Sequence, residues 1–89
     1  MKVLYFAWVR ERLGCDEEEV SLPHGVATVG DLLSWLEQRG EPYASVLADR
    51  TRLRVAVNQS FKSDPAASVG MNDEVAIFPP VTGGDGWSP

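Results

Sequence analysis

Apolar side chains in the first part of the chain follow a pattern typical of β-strands. Residues 2–10 are rich in aromatic and β-branched side chains and predict a first strand. Its two faces are both apolar, one with Val3, Tyr5, Ala7 and Val9 and the other with Leu4, Phe6 and Trp8. Such a strand is either central in a sheet, or covered on one side by its own domain and on the other by a partner.

A short helical turn over residues 10–13, ended by Gly14, leads to a second predicted strand over residues 17–22. Val20 and Leu22 are expected to point inward, and the two strands should pair as a hairpin. The acidic run 16–19 is interpreted as a solvated strand edge that discourages edge-to-edge association, with contact to a basic partner as the alternative.

The clearest helical pattern begins at Thr28, a good N-cap that has Asp31 three residues later. Apolar residues then recur at positions i, i+3, i+4 and i+7, namely Val29, Leu32, Leu33 and Leu36. Gly40 suits the C′ position after this helix, and Pro42 can open a second short helical segment that runs to residue 48. One main helix is therefore predicted in the middle of the chain.

The second half of the chain predicts three short strands. Residues 53–57 alternate in strand fashion, Asn58 and Gln59 supply a turn, and residues 60–62 form a brief strand. Residues 74–78 form the last strand, which proline then stops because it cannot donate to a ladder. Within this strand, Val75 and Ile77 are expected to point inward and Ala76 and Phe78 outward.

The order of these elements predicts an α+β fold of the ubiquitin-like β-grasp type. A mixed sheet of about five strands should have one main helix packed across it. The first and last strands carry the most continuous apolar character, so we expect them side by side and parallel at the centre, joined by a long crossover. Residues 1–80 should form this domain, and residues 81–89 a flexible C-terminal tail.

Composition and charge narrow the function classes. The 89 residues suit one small domain, and the net charge of −5 argues against binding to nucleic acid or to an anionic membrane. No apolar run approaches the ~20 residues that span a bilayer, and no signal-peptide pattern is seen, so we expect a cytoplasmic protein. Cys15 is the only cysteine, which excludes a disulfide framework and a cysteine-rich metal site.

The residues after the last predicted strand are the most unusual part of the chain. Pro79 and Pro80 restrict the backbone to an extended course, whereas Gly83 and Gly84 have no Cβ and can enter a narrow cleft. At ~3.3 Å per residue, residues 81–84 would reach roughly 13 Å beyond the domain. A Gly-Gly pair alone is also compatible with a turn or linker, so its position after a strand and two prolines is the informative feature.

Three segments closely resemble the small subunit of molybdopterin synthase, a sulfur carrier of the ubiquitin-like ThiS type. They are residues 2–11, residues 56–59 and, above all, Asp73-Glu74-Val75-Ala76-Ile77-Phe78-Pro79-Pro80-Val81-Thr82-Gly83-Gly84. The resemblance extends from Lys2 to Gly84, and the closing motif is its most specific part.

The resemblance implies sulfur transfer in molybdenum-cofactor biosynthesis. The carboxylate of Gly84, presented on Gly83, would be adenylated by an E1-like enzyme that uses ATP, and a persulfide protein would supply the sulfur of a thiocarboxylate. The large subunit of molybdopterin synthase would then use this sulfur on cyclic pyranopterin monophosphate. The chain would thus be a subunit without its own catalytic site, permanently bound cofactor or metal.

Partner contacts are expected along the tail and on the outward aromatic positions. The candidate partner-binding residues are Phe6, Trp8, Arg10, Phe78, Pro79, Pro80, Val81 and Thr82. Exposed aromatic residues are typical interface anchors. The alternatives are that the three aromatic residues complete the second face of the core, and that Arg10 merely lies at a strand end.

The chain departs from the family pattern after Gly84, where five further residues follow. An amide bond from Gly84 to Asp85 leaves no carboxylate to adenylate, so a processing protease would have to cut there. The alternatives are that residues 85–89 are an added segment, or that the chain is a divergent carrier. Rival functions are a sulfur carrier for thiamine, cysteine or tRNA thiolation, and a ubiquitin-like modifier or interaction module.

Overall fold

Residues 1–80 of the computed structural model are described here, and the predicted tail lies outside them. The elements are β1 (Lys2–Tyr5), α1 (Ala7–Leu13), β2 (Glu17–Glu19), α2 (Val29–Glu37), α3 (Tyr43–Leu47), a 3₁₀ turn (Arg50–Arg52), β3 (Arg54–Val57), β4 (Ser60–Lys62) and β5 (Glu74–Phe78). The strands form one mixed sheet in the order β2-β1-β5-β3-β4. The predicted fold class is confirmed. None of the helices within residues 1–80 is long and apolar enough to cross a bilayer.

The centre of the sheet is a parallel pair formed by β1 and β5, as predicted. Val3 lies beside Val75 and Tyr5 beside Ile77, while β3 joins the other side of β5 in antiparallel orientation. These inward side chains pack beneath α2, which contributes Leu32 and Leu36, and all are essentially inaccessible to solvent. The hydrophobic core therefore lies between the central strands and α2.

Helix α2 begins where the sequence pattern places it. The Thr28 hydroxyl oxygen accepts a hydrogen bond from the Asp31 backbone N–H at 3.1 Å, and the Asp31 carboxylate accepts one from the Ala27 N–H at 3.2 Å. These bonds satisfy backbone donors that the first helical turn leaves free. The four predicted apolar residues of the helix are all buried.

The prediction of a strand over residues 2–10 is wrong beyond Tyr5. The Phe6 N–H still donates to the Ile77 carbonyl at 3.1 Å, but the chain then reverses at Ala7, whose φ is +54°, and enters α1. Pairing of β1 with β5 stops at Tyr5 and Ile77, although β5 itself continues to Phe78. On a helix, Val9 still reaches the core and is fully buried. Gly14 ends α1 with a φ of +81°, in the left-handed conformation that glycine adopts at low cost.

The edge strand β2 is shorter than predicted, and its middle residue is not a solvated charge. Glu18 lies opposite Val3 in the register, so its side chain points to the core side of the sheet. Its carboxylate accepts hydrogen bonds from Tyr5 Oη at 2.7 Å, Tyr43 Oη at 2.6 Å and Arg39 Nη2 at 3.0 Å. We call these four residues the Glu18 cluster. It joins β1 and β2 to α3 and to the residues just after α2.

Hydrogen bonding controls the ionisation of this cluster. Burial raises the pKa of Glu18, but the hydrogen bonds from Tyr43, Tyr5 and Arg39 together lower it more, and the net pKa lies below its ordinary value. Burial, followed by the hydrogen bond to Glu18, raises the pKa of Tyr43 to about 12. The same two causes raise the pKa of Tyr5 as well. The fold therefore keeps Glu18 charged and both tyrosines neutral.

Removing the charge of Glu18 should destabilise the fold. We expect Glu18→Gln to lower the free energy of unfolding by about 1–3 kcal/mol, because three donors lose a charged acceptor. The matched control is Glu17→Gln, since Glu17 is exposed on the same strand and lies 3.6 Å from Lys2, also exposed. Surface pairs of this kind contribute at most ~1 kcal/mol. Urea unfolding of both variants measures the difference, and equal midpoints would contradict the role assigned to Glu18.

The contribution of Glu18 to the free energy of unfolding should also depend on pH. Because its pKa is lower in the folded chain than in the unfolded one, its stabilisation is present above an unfolded pKa of about 4.3 and is lost as the pH falls through the folded value. The gap in unfolding free energy between the original protein and Glu18→Gln should therefore narrow between pH 6 and pH 3. Urea titrations across this range test it, and a constant gap would contradict the argument.

Candidate functional site

The face of the sheet that points away from the helices is predominantly apolar. The register places Leu4 beside Ala76, Ala76 beside Ala56, and Ala56 beside Phe61, so one row of apolar residues crosses four strands. Phe78 and Phe6 extend this row toward the end of β5. We call this surface the outer face, defined by Leu4, Phe6, Ala56, Phe61, Ala76 and Phe78.

A groove of about 330 Å³ lies on the outer face, lined by Leu4, Phe6, Ala56, Gln59, Glu74, Ala76 and Phe78. Ala56 and Ala76 leave space there because their side chains are small. Phe6 is 37% exposed and Phe61 is 56% exposed, whereas Phe78 is only 7% exposed. The rings of Phe61 and Phe78 lie 6.5 Å apart, a distance at which aromatic rings attract each other. The groove can thus receive an apolar side chain of another molecule.

Two predicted site residues meet at this groove, and two do not. Phe6 and Phe78 both line it, although Phe78 is largely buried within its own chain. Trp8 lies on α1 rather than on the strand face assigned from the sequence, and its ring is flanked by the guanidinium carbons of Arg52 at 4.6 Å and Arg12 at 5.7 Å. Arg10 is exposed on α1 instead of lying at a strand end. Because the chain changes from strand to helix after Tyr5, Trp8 and Arg10 do not line the groove with Phe6 and Phe78.

The base of the tail adjoins the same groove. Pro79 and Pro80 are half-buried and follow β5, the central strand, directly. On one side of β5, near its end, the Phe6 N–H donates a hydrogen bond to the Ile77 carbonyl. On the other side of β5, Arg54 of β3 pairs with Phe78. The chain therefore leaves the domain next to the outer face. Val81, Thr82, Gly83 and Gly84 lie outside the described residues.

Sequence reasoning missed several residues of the outer face. Leu4 and Ala76 were predicted to point outward but not singled out, and the contribution of Ala56 and Phe61 was not recognised. The two-residue turn at Asn58 and Gln59 was the available signal. It fixes the pairing of Ala56 with Phe61 and so places both on one face.

The titratable side chains of residues 1–80 show neither a metal cluster nor a thiol with a lowered pKa. No group of three or more His, Cys, Asp or Glu residues within 1–80 is placed to hold a metal ion. Cys15 is partly buried, and burial, followed by the charges of Glu18 and Asp16, raises the pKa of its thiol. A raised pKa disfavours the reactive thiolate.

Comparison with known proteins identifies relatives along nearly the whole chain. The sequence model of the ThiS family matches residues 3–84, a range that includes Gly83 and Gly84. The molybdopterin synthase sulfur carrier subunit of Escherichia coli (strain K12) is 44% identical over 85 residues, which cover 94% of this chain and 99% of that protein. The subunit of the same name from Haemophilus influenzae is 39% identical over 84 residues, with 94% and 99% covered.

Solved structures show the same fold. The crystal structure of small archaeal modifier protein 1 from Haloferax volcanii has a TM-score of 0.70 and 28% identity, covering 91% of this chain and 97% of that chain. The solution structure of the protein of that name from Methanosarcina acetivorans has a TM-score of 0.68 and 25% identity, covering 93% and 94%. With a family match over nearly the whole chain and relatives aligned along nearly their full length, this chain belongs to the ThiS family.

Proposed function

We propose that this chain is the sulfur-carrier subunit of a molybdopterin synthase, with Gly84 as the sulfur-bearing residue once residues 85–89 have been removed. The observation that carries the proposal is the place where the described domain ends. Pro79 and Pro80, which precede the tail in the sequence, follow the central strand β5 directly, and the last residue of that strand, Phe78, lines an apolar groove on the outer face. The identity to molybdopterin synthase sulfur carrier subunits supports this pathway over other sulfur-transfer pathways.

Activation begins at the carboxylate of Gly84. An E1-like enzyme joins this carboxylate to the AMP moiety of ATP and releases pyrophosphate, which turns a poor leaving group into a good one. The terminal sulfur of a persulfide then forms a bond to the acyl carbon as AMP leaves. A thiol cleaves the remaining S–S bond, and the chain retains a thiocarboxylate. Gly83 and Gly84 allow this reaction within a narrow cleft because neither carries a Cβ.

Delivery takes place in the large subunit of the synthase. The thiocarboxylate is a soft nucleophile whose attack needs no adjacent base, so this chain requires no catalytic group of its own. Val81 and Thr82 are the tail residues that contact the partner on the way to its active site. Pro79 and Pro80 limit the directions in which the tail can leave the domain. Two deliveries to cyclic pyranopterin monophosphate build the dithiolene of molybdopterin.

Docking of these partners uses the outer face. Phe6 provides apolar contact area next to the tail base, the largely buried Phe78 supports the groove from beneath, and Phe61 extends the apolar area toward the sheet edge. Aromatic residues at the centre of an interface often carry most of its binding energy. Trp8 and Arg10, displaced onto α1, would contribute only at the margin of the contact.

A second candidate function is that of a ubiquitin-like modifier. The likeness to small archaeal modifier protein 1 of Haloferax volcanii favours it, because that protein is named as a modifier and shares the fold at 28% identity. In this case the Gly84 carboxylate would form an amide with a lysine of a target protein. Lysine-linked adducts recovered from cells would support this function, and a co-purified pterin-binding subunit would support the first.

The carrier function predicts a specific mass for the native protein. Protein recovered from its own cells should end at Gly84, with one oxygen replaced by sulfur in a fraction of the molecules, and intact mass spectrometry measures both. In vitro, a chain that ends at Gly84 should release pyrophosphate with the activating enzyme and ATP, whereas residues 1–89 should not. Retention of residues 85–89 in every molecule of an active preparation would contradict the processing step.

The proposed docking surface predicts that Phe6 matters for partner binding. We expect Phe6→Ala to raise the Kd for the large subunit about 10-fold, or ~1.4 kcal/mol, because it removes an exposed aromatic anchor beside the tail. The matched control is Met71→Ala, since Met71 is 69% exposed and does not line the groove. Calorimetric titration gives both values. An unchanged Kd for Phe6→Ala would rule out this role of the outer face.

A further inference from the structure

A second groove, of about 480 Å³, lies on the core side of the sheet between α2 and the edge strand β4. We call it the α2–β4 groove. Its apolar lining includes Val29, Leu33, Leu53, Val55 and Pro65. The Gly30 N–H donates to the Pro65 carbonyl at 2.9 Å and so holds the loop after β4 against α2. The groove on the outer face shares none of its lining residues with this one, although Phe61, which belongs to the outer face, borders the α2–β4 groove as well.

The charge of the α2–β4 groove is opposite to that of the whole chain. The chain has a net charge of −5, yet Arg50, Arg54 and Lys62 line the groove, and no Asp or Glu does. Arg50 is already paired with Glu37. The Arg54 guanidinium donates only to the backbone carbonyls of Leu53 and Thr51, at 2.8 and 3.3 Å, and the Lys62 ammonium has no ion pair within residues 1–80. Two positive charges thus remain uncompensated.

The groove runs along an open strand edge. β4 is the last strand of the described sheet, and a two-residue turn joins it to β3, with φ of +51° at Asn58 and +69° at Gln59. In such a hairpin the residues next to the turn exchange hydrogen bonds, and the following pair does not. Ser60 is next to the turn and Phe61 follows it. The N–H and C=O of Phe61 therefore point away from β3, where another strand can bond to them.

We propose that the α2–β4 groove is a second docking surface, which receives an extended acidic segment of a partner protein. The segment adds to β4 as a further strand, since main-chain bonds to an open edge supply affinity and alternate side chains supply specificity. Every second side chain of the segment faces the groove. At these positions, apolar side chains enter the groove between Val29 and Val55, and a carboxylate meets Lys62, which lies opposite the inward-facing Val55.

A second copy of this chain is a poorer occupant than a partner. Its own acidic strand is β2, but Glu17 lies 3.6 Å from Lys2, Glu19 lies 3.4 Å from the N-terminal amine, and Glu18 is held in its cluster. These carboxylates already have partners, so docking on β4 would first have to break those contacts. A separate acidic segment has no such cost.

The test uses the full chain with ¹⁵N labels and a capped valine–aspartate hexapeptide, in which valine, valine and aspartate at the groove-facing positions alternate with threonine. We expect saturable shifts in the amide signals of Val29, Leu33, Phe61 and Lys62, with affinity falling as salt is added. The same peptide with lysine in place of aspartate should not bind. A peptide N-methylated at alternate residues on its strand-facing edge should lose binding, because it cannot complete the ladder.

Charge reversal provides the variant test. Lys62→Glu should raise the Kd of the valine–aspartate peptide at least about 10-fold, whereas Lys2→Glu, on the opposite side of the sheet, should change it by less than about 2-fold. Circular dichroism checks that both variants fold. Shifts confined to the residues that line the outer-face groove, equal binding of the lysine peptide or the N-methylated peptide, or no binding at all would overturn the proposal. Binding that appears only after deletion of residues 85–89 would also overturn the proposal, as would self-association of the chain through the groove.

Discussion

The parallel pairing of β1 with β5 is the constraint on which the rest of the molecule depends. Two strands from opposite ends of the domain can lie parallel only if a long connection crosses the sheet, and α2 lies on that connection. The pairing directs Val3 and Val75 into the core and, on the other face, sets Leu4 beside Ala76. The pairing therefore determines both the core and the outer face, and it places β5, the strand that precedes the tail in the sequence, at the centre of the sheet.

Polar contacts hold the edge strand β2 in place, on the side of the domain where apolar packing is weakest. β2 is only three residues long and carries three glutamates, so apolar burial cannot hold it in place. The Glu18 cluster does so instead, because one carboxylate accepts bonds from β1, from α3 and from Arg39 after α2. A charge that is only 17% exposed is costly unless it is paired, which ties the position of β2 to the packing of the helices.

The two grooves divide the surface into regions of different chemistry. The outer-face groove is apolar and adjoins the base of the tail, which suits partners that act on the tail itself. The α2–β4 groove combines apolar walls with uncompensated cations along an open strand edge, which suits an acidic extended segment. Under the proposed carrier function, the chain would gain from having more than one recognition surface, because a partner could hold the domain without covering the tail.

Local patterns in the sequence determined much of this protein. The N-cap at Thr28 and the helical period of Val29, Leu32, Leu33 and Leu36 specify α2, and the turn at Asn58 and Gln59 specifies the hairpin of β3 and β4, since each signal involves residues close along the chain. The motif from Asp73 to Gly84 likewise indicated the family, which the comparisons confirmed.

Only the tertiary structure decided where β1 ends, because residues 7–10 fit a strand or a helix locally, and on the helix Val9 packs into the core. It also decided that Glu18 points inward, which follows from its register opposite Val3. The turn at Asn58 and Gln59 sets the faces of Phe61 and Lys62, but the contact of Phe61 with Phe78 and the position of Lys62 in the α2–β4 groove involve residues far away in the sequence. Such contacts leave no periodic signal along the chain.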